Sequence, residues 1–446
     1  MKTPICDFVR NYCNKDALRL HMPGHKGLPL LGMERADITE INGADSLYEA
    51  SGIIRESEQN ATDLFGTAAT FYSTEGSSLC IRAMLYLTLL HAKRQGKKPL
   101  ILAARNVHKT FVTAAGLLDF DIEWLLPTQN GSHLSCPIDM AELEAGLCKN
   151  APTAVYITSP DYLGNRADIS DIAKLCHRHG ALLLVDNAHG AYLKFLPCSQ
   201  HPIDLGADLC CDSAHKTLPA LTGAAYLHLS HTAPAWMKDS AKDALALFGS
   251  TSPSYLILQS LDAVNAYLAD GYTEKLTTFV AEAERFKAAL MHSGYTLVGN
   301  EPLKLTLLTK PLGYDGQAFA ARLEECGIVC EFADPDFAVL MLSPELGNNS
   351  LERLSSVLSK IEGREPILST PHAPPLPQRI LSIREALFAE HERVSVEQAE
   401  GRILASLNVS CPPAVPIAVC GEKLDAQAIE LFRYYGIDLC DAVKEK

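Results

Sequence analysis

Asp208-Leu-Cys-Cys-Asp-Ser-Ala-His-Lys-Thr-Leu-Pro-Ala-Leu-Thr-Gly223 places one lysine, Lys216, between two apolar runs. The run before it reads as a strand, as does Gly223-Ala-Ala-Tyr-Leu-His-Leu229 after it. Lys216 then lies in a short connection between two buried strands. An ammonium is costly to desolvate, so an amine at such a place needs a purpose. One purpose is a Schiff base, since an imine to an aldehyde cofactor removes the charge and primes the site for amino-acid chemistry. Ser213 and His215 flank the lysine and carry donors for a phosphate. Taken alone, an ordinary solvated loop lysine is the simpler reading, because most lysines are surface residues. The surrounding sequence decides between the two.

Upstream, strand-like runs alternate with helical segments. Leu100-Ile-Leu-Ala-Ala104, Ile122-Glu-Trp-Leu-Leu126, Thr153-Ala-Val-Tyr-Ile-Thr158 and Ala181-Leu-Leu-Leu-Val-Asp186 read as strands, with helices expected over 109–118, 139–149 and 168–179. Apolar runs without alternation belong to strands buried on both faces, as in a mostly parallel sheet covered by helices. Ligands gather at the carboxyl ends of such strands. Arg105-Asn-Val-His108-Lys, Ser159-Pro-Asp-Tyr-Leu-Gly164 and Asp186-Asn-Ala-His189-Gly all fall there.

Phe71-Tyr-Ser-Thr-Glu-Gly-Ser-Ser-Leu-Cys-Ile-Arg-Ala-Met84 passes from a polar turn into a buried helix. Gly76, Ser77 and Ser78 open it, and a helix N-terminus offers unpaired N–H groups and a favourable dipole to an anion. A plain serine N-cap fits equally well. Residues 1–70 read as an irregular arm containing His21-Met-Pro-Gly-His-Lys-Gly27, read first as a polar loop, then Asp37-Ile-Thr-Glu40 and Gly43-Ala-Asp45. The expected architecture is α/β: this arm, a large domain over 71–254, a smaller α/β domain over 255–365, a proline-rich linker over 366–377 and a short C-terminal α+β domain over 378–446. In the last, Ile383 to Phe388 and Val394 to Leu404 read as helical.

The chain has 446 residues, 47% of them hydrophobic and 21% charged, enough for a sizeable core. A formal charge of −14 argues against nucleic acid or anionic membranes as main partners. The first residues lack the apolar core of a signal peptide, and no apolar run is long enough to span a bilayer. The 14 cysteines lack the paired spacing of a zinc site and read as reduced thiols of a cytoplasmic protein, so no metal is expected.

A pyridoxal phosphate site needs a Schiff-base lysine, an acid at the pyridine nitrogen, a group against the ring and a phosphate cup. Lys216 supplies the first. Asp186, 30 residues earlier at a strand end, suits the second. His108 suits the third, and Gly76, Ser77, Ser78, Ser213 and His215 the fourth. Each element is common; together, in this order, they are a strong signal.

With these stretches in view, the sequence resembles the bacterial pyridoxal-phosphate-dependent ornithine/lysine/arginine decarboxylases, in their short form. The resemblance rests on His21-Met-Pro-Gly-His-Lys-Gly, Arg105-Asn-Val-His-Lys, Thr158-Ser-Pro-Asp-Tyr-Leu-Gly, Val185-Asp-Asn-Ala-His-Gly-Ala, Ser213-Ala-His-Lys-Thr-Leu-Pro-Ala-Leu-Thr and Ser250-Thr-Ser-Pro-Ser-Tyr, with Glu400-Gly-Arg and Cys411-Pro-Pro-Ala-Val-Pro near the C-terminus. It implies an aspartate-aminotransferase-type fold, a homodimer with each site at the subunit interface, and an amine product of the polyamine kind. It also implies roles: Lys216 as Schiff base, Asp186 at the pyridine nitrogen, His108 stacked on the ring, His189 near the ring hydroxyl. Ser77, Ser78, Ser213 and His215 would bind phosphate, with Thr251 or Ser252 from the partner chain.

The chain departs from the family at several of these places. Asn187 stands where the family usually has Glu, Glu75 where it has Asn, Ala214 where it has Thr, and Gly223 where it has Gln; Ala414 and Cys420 replace Gly and Pro. A carboxylate at Glu75 repels a phosphate unless it turns away or meets a cation. Decarboxylation of arginine, lysine or ornithine is the first expectation. Transamination or elimination on the same scaffold, or an inactive relative with a binding role, are the alternatives. A cationic substrate side chain calls for a carboxylate, for which Asp45 and Glu422 are candidates.

Overall fold

The computed structural model describes residues 1–445 except 16, 128–131, 348, 370–376, 407–409 and 412–414; at 410 and 411 the backbone alone is described. Ala414 and most of the proline-rich linker, including Pro371, Pro374 and Pro375, lie outside the described residues. The chain forms two compact units, Met1–Lys97 with Ile169–Thr277, and Lys98–Asp168 with Thr278–Lys446.

The first seven strands are β1 (Ala69–Ser73), β2 (Leu100–Ala104), β3 (Asp121–Leu125), β4 (Ala154–Thr158), β5 (Leu182–Asp186), β6 (Leu209–Asp212) and β7 (Ala225–Leu229). In the first unit the order is β5-β6-β7-β1. β5 and β6 are parallel, and β7 runs against both β6 and β1. Every residue of β5, β6 and β7 is buried, which is why their sequences show no polar alternation. Burying Leu183, Leu184 and Val185 in β5 contributes about 2 kcal/mol each. The helix Ile169–Arg178 covers this sheet with Ile169, Ile172, Ala173 and Cys176, spaced three and four apart.

In the second unit β4-β2-β3 are all parallel. A separate antiparallel sheet orders Phe332–Ala333, Phe337–Met341, Lys304–Leu308 and Thr296–Val298. Near the C-terminus the helix Ala426–Tyr434 buries Ile429, Leu431 and Phe432 in one cluster with Val394, Val396, Phe337 and Val339.

Three sequence expectations need correction. The stretch 1–70 is not wholly irregular: it holds helices Pro4–Cys13 and Ile53–Phe65, the second closed by Gly66 in the left-handed region. Phe71 to Ser73 is the end of β1, not a turn. Val394 to Leu404 is not helical; His391–Ser395 is a strand paired with Leu439–Val443, followed by one tight turn, Val396–Gln398.

Candidate active site

Lys216 lies on a one-turn helix, Ala214–Thr217, between β6 and β7. The Lys216 N–H donates to the Ser213 carbonyl at 3.0 Å, which fixes where the side chain leaves the backbone. Its Nζ is 3.1 Å from His189 Nε2. An ammonium has hydrogens only to give, so in that state the lysine donates and His189 carries its proton on Nδ1. His189 is buried in the turn that follows β5, three residues after Asp186. Asp186 is 3% exposed, and its Oδ1 accepts from the Ala188 N–H at 3.2 Å and faces Cys211 Sγ at 3.7 Å. The amine, the imidazole and the acid thus come from the ends of two adjacent parallel strands.

The helix Gly76–Arg94 begins beside the same turn. Ser213 Oγ donates to Ser77 Oγ at 2.8 Å, joining the lysine turn to the helix start. Gly76 has φ +71 with nothing within 4 Å of its missing Cβ, and its N–H donates to the Gly223 carbonyl at 2.8 Å. Glu75 occupies the N-cap position, and neither Ser77 nor Ser78 caps the helix. The first N–H groups of any helix have no partner within it. Here they stand with the hydroxyls of Ser77 and Ser78, a donor set suited to a phosphate. His215 gives its Nδ1–H to the Ala224 carbonyl at 2.9 Å, so toward a phosphate its Nε2 is a donor only in the doubly protonated ring. These donors, the amine and the buried acid fit pyridoxal phosphate.

Glu75 resolves its own difficulty by turning away. Its Oε1 accepts from the Ser250 N–H at 2.6 Å. Ser250, Thr251 and Ser252 are exposed, and Ser252 N–H donates to Ser250 Oγ at 3.1 Å. In the other unit His108 caps the helix Lys109–Leu118, its Nδ1 accepting from the Thr110 N–H at 3.2 Å.

Both substrate candidates carry bonds within the protein. Asp45 accepts from the backbone N–H groups of Ser46, Ser51, Gly52, Ile54 and Arg55, anchoring the loop before the helix Ile53–Phe65. Burial pushes its pKa up, but these bonds outweigh it and hold the carboxyl below its ordinary value. Glu422 pairs with Arg105 Nη2 at 2.8 Å and accepts from the Val419 N–H at 2.7 Å. Arg105 is 3% exposed, and its Nε and Nη1 have no hydrogen-bond partner among the described residues. Its guanidinium also lies 4.9 Å from the Trp124 ring centroid. Glu422→Gln leaves that buried cation without its counter-charge and is expected to cost about 3–5 kcal/mol. Urea unfolding is the check; an unchanged midpoint would show the pair contributes nothing.

The sequence reading missed a buried polar network beneath the lysine turn. Asp212, His201 and His228 are each within 1% of complete burial. The visible signal was an ionisable residue inside each of two otherwise apolar strands, Asp212 in β6 and His228 in β7. His201, Cys210 and Asp212 bring atoms of metal-ligand type within 4.8 Å of one another. Both imidazole Nε2 atoms already point at the carboxylate, and burial pushes the Cys210 thiol well above its ordinary pKa. The cluster therefore reads as hydrogen bonding.

The fold is that of the pyridoxal-phosphate aminotransferase type. The family model described as Orn/Lys/Arg decarboxylase, major domain, matches residues 3–298, and its C-terminal domain matches 374–439. The uncharacterized protein YaaO of Bacillus subtilis is 30% identical over 96% of this chain and 93% of its own length. The arginine decarboxylase of Bacillus subtilis is 27% identical over 96% of this chain and 92% of its own. Lysine decarboxylase A from Pseudomonas aeruginosa superposes with a TM-score of 0.82 at 17% identity, covering 99% of this chain and 80% of that one. The chain belongs to the Orn/Lys/Arg decarboxylase family. It is a pyridoxal-phosphate-dependent decarboxylase. No helix among the described residues is long and apolar enough to cross a membrane.

Proposed function

We propose that the protein removes the α-carboxylate of a basic L-amino acid, arginine, lysine or ornithine, as carbon dioxide and releases the amine. The observation that carries this reading is Lys216 Nζ at 3.1 Å from His189, in a turn tied through Ser213 to the N-terminus of the helix Gly76–Arg94. Bound pyridoxal phosphate supplies the electron sink for the pair left when the carbon–carbon bond breaks. Lys216 would hold the cofactor, and its Nζ beside His189 would be placed to carry a proton. His189 exchanges a proton with Nζ. Asp186, its orientation set by the Ala188 N–H, would hold a proton on the ring nitrogen. Ser77, Ser78 and Ser213 would hold the phosphate, with His215 beside them. His108 is assigned to the ring face on the family pattern alone. Amine detection after incubation of the protein and cofactor with a panel of amino acids tests the proposal. A keto-acid product would favour transamination, and a colourless protein that binds no cofactor would favour the inactive relative.

The working form is proposed to be a homodimer in which Thr251 or Ser252 reaches the partner's phosphate. Two observations support it. Ser250, Thr251 and Ser252 are exposed although Glu75 fixes the backbone between them and the helix start. The arm exposes Leu18 (84%), Leu20 (83%), Leu30 (75%) and Leu31 (82%), an apolar run suited to a second copy. Dissociated subunits are expected to lose cofactor and activity together, and excess cofactor to favour the dimer. Sedimentation and activity across a dilution series measure this. A fully active monomer would defeat the shared site and leave the lysine chemistry standing.

A further inference from the structure

The buried network under the lysine turn ties together the ends of the strands that carry the chemistry. Asp212 Oδ2 accepts from His201 Nε2 at 3.0 Å and from His228 Nε2 at 3.1 Å. Its Oδ1 accepts from Asn187 Nδ2 at 2.7 Å. The far sides of both rings are also set. Thr70 Oγ1 lies 2.8 Å from His228 Nδ1, and the Ile203 N–H points at His201 Nδ1 at 3.4 Å. Phe65 packs against both rings, with centroids 4.5 and 5.7 Å away. Burial alone would raise the Asp212 pKa, but the two imidazoles outweigh it and hold the carboxyl well below its usual range.

A charge here is not what a stable core requires. Apolar side chains of the same volume serve stability as well or better. Its location is what distinguishes it. Asp212 immediately precedes Ser213, whose hydroxyl joins the phosphate cup, and stands four residues before Lys216. Asn187 immediately follows Asp186, and its own N–H donates to the Cys211 carbonyl at 3.0 Å. One carboxylate therefore fixes the turn that presents Asp186 and His189 against the turn that presents Lys216.

We propose that Asp212 is a positioning residue of the decarboxylase site, holding the Lys216 turn and the Asp186 turn in register through Asn187 while His201 and His228 hold Asp212. The inference rests on the functional reading above and deepens it. It predicts that the acid and the amide act as a pair, so exchanging them preserves what removing either one destroys.

The experiment titrates apo-protein with pyridoxal phosphate, reading visible absorbance and borohydride trapping on Lys216 by peptide mass. Asp212→Asn removes the charge on which both imidazoles and the Asn187 amide converge. Asn187→Asp sets two carboxylates against each other. Each is expected to weaken cofactor binding and slow trapping by about 10–100-fold, the size seen when partners behind a site's direct ligands are removed. The double variant, with acid and amide exchanged, is expected to recover most of that loss. Asp212→Asn that melts earlier but binds and traps as wild type would make the network merely structural and overturn the proposal. So would a double variant no better than the single ones. If Asp212→Asn does not fold, Asn187→Ala cuts the tie and leaves Asp212 with both imidazoles; unchanged affinity there also overturns it. Wild-type protein in the same titration separates the two levels. If it binds no cofactor at Lys216, the functional reading fails and takes this inference with it.

Discussion

Lys216→Ala is expected to abolish turnover, by more than about 10³-fold, and to remove the visible absorbance of lysine-bound cofactor. On the proposed function the variant would lose both the amine that holds the cofactor and the proton carrier beside His189 Nε2. The fold should survive, because the side chain is only half-buried on a one-turn helix and its removal opens no large core cavity. Circular dichroism and melting temperature close to wild type, with no amine produced, are the expected results. Borohydride should trap the cofactor on this lysine in the wild type. Recovery of the label on a different lysine would sink the assignment.

Asp186→Asn is expected to leave the chain folded and the cofactor bound while slowing decarboxylation by about 10²–10³-fold, or about 3–4 kcal/mol. The substitution keeps the volume and can still accept from the Ala188 N–H. It removes the charge that favours a protonated ring nitrogen. A severe fall in kcat with little change in cofactor affinity is therefore the signature. Near-normal turnover would reduce Asp186 to an acid that merely ends a strand.

What the sequence revealed follows from how local each feature is. β2, the helix Lys109–Leu118 and the strand ends at Asp186 and Asp212 were visible because apolar runs meet polar residues there within a few positions. β1 is short and paired with β7 some 150 residues later, Ala69 opposite Leu229, so nothing nearby announces it. The strand His391–Ser395 was misread for the same reason, its partner Leu439–Val443 being far along the chain. Lys216, His189 and Asp186 stand out in the sequence because pyridoxal chemistry restricts which residue types could serve it, and the structure places all three just at or after the ends of β5 and β6. The network around Asp212 could not be assembled, since it converges from β6, β7, the turn after β5 and the segment at His201. Asp45 and Glu422 differ from these: as letters they are simply available acids, and only the fold shows the Asp45 carboxylate held by backbone N–H groups and Glu422 Oε2 paired with Arg105.

Gly223 has a consequence for how this lineage can change. Its φ is +97, a Cβ there would lie 2.9 Å from the Thr74 carbonyl oxygen, and its own carbonyl holds the Gly76 N–H. A glutamine here, as the family resemblance suggests, would not fit without moving the backbone beside the start of the helix Gly76–Arg94. A side chain at 223 would need Thr74 through Gly76 to shift in the same step. A chimera that grafts a relative's whole lysine segment into this chain should therefore fail at residue 223 unless the 74–76 turn is transplanted with it.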